Sequence, residues 1–446
     1  MSEDQAVPEA RAVPEDRAGA GGRAVSDNRA VATALREGVE TPAYVYDLAE
    51  VRANLARLRA ALPERSGLYY SLKANPHPHV LAALREGGAR AEVCSPGELD
   101  AALAAGWPAG ALLYNGPGKR DADLARALRL GVREFSVDSP HALDQLDAVA
   151  RAGSVRVRCL LRINDDQPEP GQGLTMTGVT SQFGADVGWV LAEPARFGDR
   201  DHVEVVGLHL YMGTNLVGVD ELLAQFGRSL ATAAKLRAEG FRVDVLDLGG
   251  GFGAPFGKEG GAVDLTGLRG GLHDLLDEHA PGWRGGAPEV VFESGRYLVG
   301  TAGSLVTAVL DVKRSHGRDV VVLESGINHL GGMAGLRRLP PLNPALVHLA
   351  GNATAGDTTA GDETAGPTVV AGPLCTPLDT WSRTARLPRL RPGDLLAVPN
   401  VGAYGLYASL VAFLGQPCPV EAVVDGDRLV HASRLELTRV PTRPES

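Results

Sequence analysis

The sequence predicts an α/β protein: a parallel (β/α)8 TIM barrel followed by an all-β domain of sandwich or barrel type. From residue 51 to 300, short runs rich in β-branched and aromatic residues alternate with amphipathic stretches, as a parallel sheet with crossover helices requires. Beyond residue 300, strand-like runs follow one another with few helical segments between them. A chain of 446 residues is also too long for one small core, so two domains are expected.

In chain order, residues 1–28 repeat short Ala, Arg, Pro, Glu and Gly phrases without apolar periodicity and read as a disordered tail. TPAYVYDL at 41–48 is a strand, and segment 29–50 is expected to join the later β domain. Eight strand signals follow: LYYSL (68–72), AEVCS (91–95), LLYNG (112–116), EFSVD (134–138), VRCLLRIN (157–164), VVGLHLY (205–211), VDVLDL (243–248) and VVFES (290–294). Helical stretches such as HVLAALREGG and ELDAALAAG separate most of them. This fits a closed barrel over 51–300, with a doubly wound open sheet as the alternative. The β domain, 301–446, draws on SLVTAVLDVKRS, VVLES, PTVVAGPLC, DLLAVPN and VEAVVDGDRLVH. A repetitive Thr, Ala, Gly and Asp insertion at 350–368 reads as a surface loop.

With 44 Lys plus Arg against 54 Asp plus Glu, the net charge of −10 argues against nucleic acid or anionic membrane as the partner. No apolar run reaches the roughly 18 residues of a membrane helix, and the first residues lack a signal-peptide core. Cys94, Cys159, Cys375 and Cys418 form no CxxC pair, so neither a disulfide framework nor a metal site is expected. A soluble cytoplasmic protein follows as the expectation. Only five lysines occur, at 73, 119, 235, 258 and 313, and any lysine chemistry must fall on one of them.

Catalytic groups of a barrel sit at the C-terminal ends of its strands. That rule selects Lys73, Asp138, Asn164, His209, Tyr211, Gly249, Gly250, Gly251 and Glu293. Lys73 follows an apolar run, and apolar neighbours are expected to depress its pKa and free the amine as a nucleophile. A solvated surface lysine is the plainer reading. LDLGGGFG (246–253) offers successive backbone N–H groups that can hold a phosphate, after the seventh strand. It lacks the spacing of a Walker or Rossmann loop. Glu293 and Arg296, in PheGluSerGlyArg, form either a structural ion pair or a carboxylate for a pyridine nitrogen beside a phosphate-binding guanidinium. Cys375 lies in GlyProLeuCysThrProLeuAsp, a loop, and is a candidate proton donor or a small buried hydrophobe. Tyr404, between glycines, can bond a phosphate or simply pack.

Together these segments resemble the ornithine/diaminopimelate decarboxylase family, pyridoxal-phosphate enzymes of fold type III with an alanine-racemase-like barrel. The likeness runs in order from ThrProAlaTyrValTyrAsp at 41 to the GlyAlaTyrGly segment. It implies that Lys73, in TyrSerLeuLysAlaAsn, carries the cofactor. Gly249, Gly250 and Gly251, with Tyr211, Thr214, Arg296 and Tyr404, would bind it, and Glu293 would face its ring nitrogen. It further implies that Cys375 reaches the neighbouring subunit's site, with Thr376 and Asp379 near the substrate, in a homodimer with shared active sites. Cys375 or Lys73 would return a proton to the carbon that loses carbon dioxide. An alanine racemase would be expected to carry arginine in place of Glu293 and to lack the Cys375 loop, so it is the poorer match. A non-catalytic relative fits less well, because Lys73, Glu293 and Cys375 are all present.

Three departures stand out. The acidic residue usual after the cysteine is Thr376, the histidine expected at 211 is tyrosine, and the aspartate expected on the second strand is Glu92. An unpaired ammonium in a dry site costs several kcal/mol, so free ornithine, arginine and lysine are expected to be poor substrates. After ValLeuGluSerGlyIleAsnHis, Arg337 or Arg338 is a candidate carboxylate ligand. These changes resemble the branch of the family found in specialised metabolism, acting on carrier-tethered aminoacyl groups or siderophore-type intermediates. Diaminopimelate decarboxylase is the alternative.

Overall fold

The computed structural model describes residues 28–165, 180–331, 342–349 and 367–442. Most of the proposed tail and of the 350–368 insertion lie outside the described residues.

Eight strands close into a parallel barrel: β2 (Gly67–Ser71), β3 (Arg90–Val93), β4 (Leu112–Tyr114), β5 (Glu134–Val137), β6 (Val157–Asn164), β8 (Val203–Leu210), β9 (Val245–Asp247) and β10 (Glu289–Ser294). Each pairs in parallel with the next, and β10 returns to β2, which excludes the open sheet. A two-residue strand, β7 (Ala185–Asp186), pairs with β6 outside the ring. Helices cover the outside: α3 (Pro78–Glu86), α4 (Pro96–Ala104), α5 (Asp121–Leu130), α6 (Pro140–Ala152), α7 (Val187–Ala192), α8 (Val219–Ala238), α9 (Leu268–His279) and the short α10 (Arg296–Val299). Their starts are written locally. Ser95 and Ser139 each accept a backbone N–H from the first turn, ahead of a proline that has none to offer.

Inside the barrel, the two-residue period of the strands separates two layers. Tyr69, Leu113, Leu160, Val206 and Val291 make a closed apolar plug. Two residues further on, the same faces carry Ser71, Asn115, Arg162 and Glu293, and Asp247 follows Val245 likewise. Glu92 is the register partner of Ser71, and His209 that of Arg162 and Asp247. A ring of buried polar groups therefore rests on a hydrophobic floor, at the C-terminal end of the strands.

The second domain is a mixed sheet in which an N-terminal strand, β1 (Ala43–Asp47), is central. It pairs antiparallel with β11 (Gly303–Ser315) and parallel with β17 (Val420–Asp425), and β18 (Arg428–Arg434) flanks the latter. The long β11 continues through β12 (Arg318–Leu323) to β14 (Thr368–Ala371) and β15 (Thr380–Ala385). It also holds β16 (Leu395–Val398), which pairs with β13 (Val347–His348). Helix α1 (Arg29–Arg36) packs Ala30, Val31 and Ala34 on Val45, Val306 and Ala422 of this sheet. Helix α2 (Leu48–Ala61), capped by Asp47, leads from β1 to the barrel.

One charge is buried in that sheet. Glu421 accepts from Tyr46 Oη at 3.0 Å and from Tyr407 Oη at 2.8 Å, yet burial still raises its pKa above the usual carboxylate value. The folded form therefore holds its proton to higher pH than the unfolded chain. The stability from this group is complete below the unfolded pKa and is lost as pH rises through the folded one. Glu421→Gln keeps an oxygen for the tyrosines and never ionises. We expect it to raise Tm at pH 7 by about 1–2 °C and to flatten the decline of Tm between mildly acidic and neutral pH. A variant less stable than the parent at pH 7 would show that the charge is fully compensated.

Candidate active site

The polar ring opens upward into a cavity lined by Ser71, Lys73, Tyr211, Thr214, Gly250, Gly251, Phe252, Glu293, Ser294, Gly295, Arg296 and Tyr404. A second cleft, lined by residues 156–158 and 199–204, lies at the N-terminal ends of β6 and β8, away from these groups.

Lys73 sits in a turn directly after β2, its side chain 44% exposed towards the cavity, with Nζ 3.8 Å from Glu92 Oε1. The expected depression of its pKa is not found. The Glu92 carboxylate outweighs burial and favours the ammonium strongly. Of the run that suggested a dry lysine, Leu68, Tyr70 and Leu72 join the main core and Tyr69 the plug below, while the lysine side chain itself meets the acidic ring. Glu92 is held below its ordinary pKa: burial opposes ionisation, but Lys73, the Cys94 thiol and Ser71 overcome it. Its Oε1 accepts from Cys94 Sγ at 2.8 Å and from Asn115 Nδ2 at 3.1 Å.

On β10, the strand beside that of Lys73, burial raises the pKa of Glu293 strongly, and the carboxylates of Glu92 and Asp247 raise it further. Burial and Arg162 keep His209 neutral, so its 3.6 Å approach to Glu293 is not an ion pair. His209 Nδ1 meets Ser136 Oγ at 2.9 Å, while its Nε2 and Glu293 Oε1 are buried without a hydrogen-bond partner. Asp247 accepts from Gly249 N at 2.8 Å and is pushed up to about 7, chiefly by burial.

The glycine segment turns tightly over this ring. Gly251 has φ +104, and a Cβ on Gly250 would stand 2.4 Å from the Glu293 carbonyl oxygen, so neither position accepts a side chain. Gly249 packs against the Tyr211 ring, and a Cβ there would lie 2.7 Å from Cδ2. Arg296 opens α10 with its guanidinium 4.9 Å from the Tyr404 ring centre, and its Nε and Ser294 Oγ are buried without partners. Tyr404 is tied to the lysine turn by its N–H to Ala74 O at 2.9 Å. Lys73, Tyr211, Thr214, Gly249, Gly250, Gly251, Glu293, Arg296 and Tyr404 thus converge on one site.

Others do not. Cys375 is exposed, and neither it nor Thr376 lines this cavity. Asp379, expected beside the substrate, is turned inward and is 2% exposed. Its two oxygens accept from Ile327 N and Leu374 N, both at 2.8 Å, so it holds the Cys375 loop to the sheet rather than facing a ligand. Asp138 accepts from Gly184 N at 2.8 Å, and Asn164 is buried in β6. Arg337 and Arg338 lie outside the described residues. Arg162, Asp247, Cys94 and Ser294 also belong to the site, although none stood out in the sequence as a functional residue. The first two are charges inside otherwise apolar strands, which is a usable signal for an inward polar layer.

Residues 48–300 match the model of the pyridoxal-dependent decarboxylase family, pyridoxal binding domain. The chain belongs to the pyridoxal-dependent decarboxylases. It is 32% identical over 390 residues to the L-glutamyl-[BtrI acyl-carrier protein] decarboxylase of Niallia circulans, covering 87% of this chain and 90% of that one. With the diaminopimelate decarboxylase of Pseudomonas aeruginosa it shares 30% identity over 404 residues, 90% and 92% of the two chains. The crystal structure of the Helicobacter pylori diaminopimelate decarboxylase complexed with L-lysine superposes with TM-score 0.74 at 25% identity, over 87% of this chain and 93% of that one. Among the described residues of this decarboxylase no helix is long and apolar enough to cross a membrane.

Pyridoxal phosphate is the cofactor of the family, and the cavity fits it. The close-packed glycine turn, the unpartnered Arg296 Nε and Ser294 Oγ, the unpartnered Glu293 Oε1 and Lys73 offer a phosphate cradle, a ring partner and an amine in one enclosure.

Proposed function

We propose that this decarboxylase removes the free α-carboxylate of an amino acid tethered to a carrier protein through its side-chain carboxyl, rather than of a free basic amino acid. The observation that carries this reading is Thr376. It stands where the family places an acidic residue for the distal charge of the substrate, and a hydroxyl cannot neutralise an ammonium. The 32% identical relative that acts on a carrier-bound glutamyl group supports it.

Bound pyridoxal phosphate supplies an electron sink for the carbon that loses carbon dioxide. In this reading Lys73 anchors the cofactor and Glu92 keeps the displaced lysine protonated nearby. Gly249, Gly250, Gly251, Thr214, Arg296 and Tyr404 hold the phosphate. Tyr211 supports the ring by its aromatic face. Glu293 keeps a proton on the ring nitrogen. Cys375 returns a proton to the product carbon from the neighbouring subunit. That last role needs a dimer, for which the exposed Cys375 loop and its tip residue Leu378, 72% exposed, are the support. Diaminopimelate decarboxylation is the second reading, favoured by the 30% identity with the Pseudomonas enzyme.

Carbon dioxide release by the holoenzyme separates them, using γ-glutamyl and β-aspartyl phosphopantetheine thioesters, whose α-carboxylates are free, against free diaminopimelate, ornithine and lysine. We expect kcat/KM for the best thioester to exceed that for each free amino acid by on the order of a hundredfold, as an uncompensated buried ammonium demands. Comparable turnover of diaminopimelate overturns the proposal. Thr376→Glu is expected to narrow the gap by improving basic substrates.

A further inference from the structure

Directly after the lysine turn, the sequence AsnProHisProHis places two histidines at the start of α3, and the far end of the chain brings a third to them on β18. His77, His79 and His431 each offer one ring nitrogen, and these lie within 4.8 Å of one another. The rings of His79 and His431 stack at 4.4 Å, and those of His77 and His79 stand 5.7 Å apart. His77 is 1% exposed, yet its Nε2 is buried without a hydrogen-bond partner, as is His79 Nδ1. None of the three lines the cofactor cavity.

Packing three imidazoles together leaves two buried nitrogens unsatisfied, an arrangement that native proteins rarely keep without a ligand or water. From these observations we propose that His77, His79 and His431 bind a divalent transition metal of the zinc class, linking the lysine turn of the barrel to the edge of the β domain. Neutral imidazole is the commonest ligand for such ions, and three of them with an open fourth position make a sufficient set. Nitrogens on a tetrahedral zinc ion are about 3.3 Å apart, so each ring closes by at most roughly 1 Å. Binding through Nε2 moves the His77 proton to Nδ1 and gives up the 3.3 Å contact from His79 N, which is long for a hydrogen bond. The metal would brace the turn that carries Lys73. His77 N donates to Asn75 Oδ1 at 2.9 Å, and Asn75 Nδ2 donates to Gly402 O at 2.9 Å, so the three histidines and the turn form one unit.

The test uses chelator-treated holoenzyme in equilibrium dialysis with Zn²⁺, and Co²⁺ as a visible probe. One equivalent of Zn²⁺ per chain is expected, with a tetrahedral Co²⁺ absorption band and a higher Tm on adding Zn²⁺. His431→Ala, on a flanking strand, is expected to weaken binding at least about tenfold and to remove both the band and the Tm gain. His79→Asn gives a second, independent lesion should the first variant be unstable. Absence of stoichiometric uptake overturns the proposal. So does uptake unchanged in folded His431→Ala and His79→Asn, which would place the ion elsewhere.

Discussion

Lys73→Ala is expected to abolish decarboxylation, lowering kcat by on the order of a thousandfold or more. It should also remove the visible absorbance of a cofactor–lysine adduct, with borohydride-reduced cofactor mapping to Lys73 in the parent protein. The geometry leaves little choice of lysine. Lys119, the other lysine near the ring, is buried and spends its ammonium on the carbonyls of Gly116 and Ser136, the latter at 2.7 Å. Lys73 alone among the cavity residues offers an amine. Removing it also strands the buried Glu92 carboxylate, so loss of activity in the alanine variant could reflect a weakened fold. Lys73→Arg separates the two effects: it keeps a cation beside Glu92 but cannot make the adduct, and it should be as inactive while melting normally. If the active sites are shared as proposed, mixing inactive Lys73→Ala and Cys375→Ala dimers restores about a quarter of the parent activity, since half of the dimers are mixed and each has one intact site. Activity of Lys73→Ala within tenfold of the parent would overturn the assignment.

The eight barrel strands were legible because buried parallel strands are apolar on both faces, and runs such as LYYSL and VRCLLRIN stand out against the helices between them. The lysine and the glycine segment were legible for a related reason: each interrupts the pattern at a strand's end. What could not be read was anything decided between strands. Lys73 looked dry because its chain neighbours are apolar, whereas its electrostatics are set by Glu92 on the adjacent strand. Asp379 looked like a substrate ligand because it follows Cys375. Its inward turn depends on Gly326 and Gly372, where a Cβ would come within 2.2 and 2.3 Å of its oxygens. His431 had no visible meaning at all until the second sheet carried β18 back to the barrel.

Glu293 likewise acquires its chemistry from the neighbouring strands. Glu293→Gln should lower kcat by on the order of 10²–10³ while leaving KM and cofactor affinity nearly unchanged. Burial and the carboxylates of Glu92 and Asp247 give this carboxyl an unusually high affinity for a proton, and Lys73 and Arg162 only partly oppose them. A carboxylate in that setting is stabilised by a positive partner, and a protonated ring nitrogen against Oε1 is such a partner. Glutamine preserves shape and can still bond the nitrogen, but it brings no negative charge. Without that charge, the ring nitrogen of a bound cofactor would hold its proton less tightly and the electron sink would weaken. Phosphate binding should survive, since the glycine turn and Arg296 do not depend on the charge at 293. The discriminating reading is therefore a large fall in kcat with an unchanged cofactor content, measured by absorbance. Activity within fivefold of the parent would instead make Glu293 a packing partner of the neutral His209, which stands 3.6 Å away. In that case the proton on the ring would need another keeper, and Asp247, pushed up to about 7 and buried two residues before Gly249, is the group the geometry would then put forward.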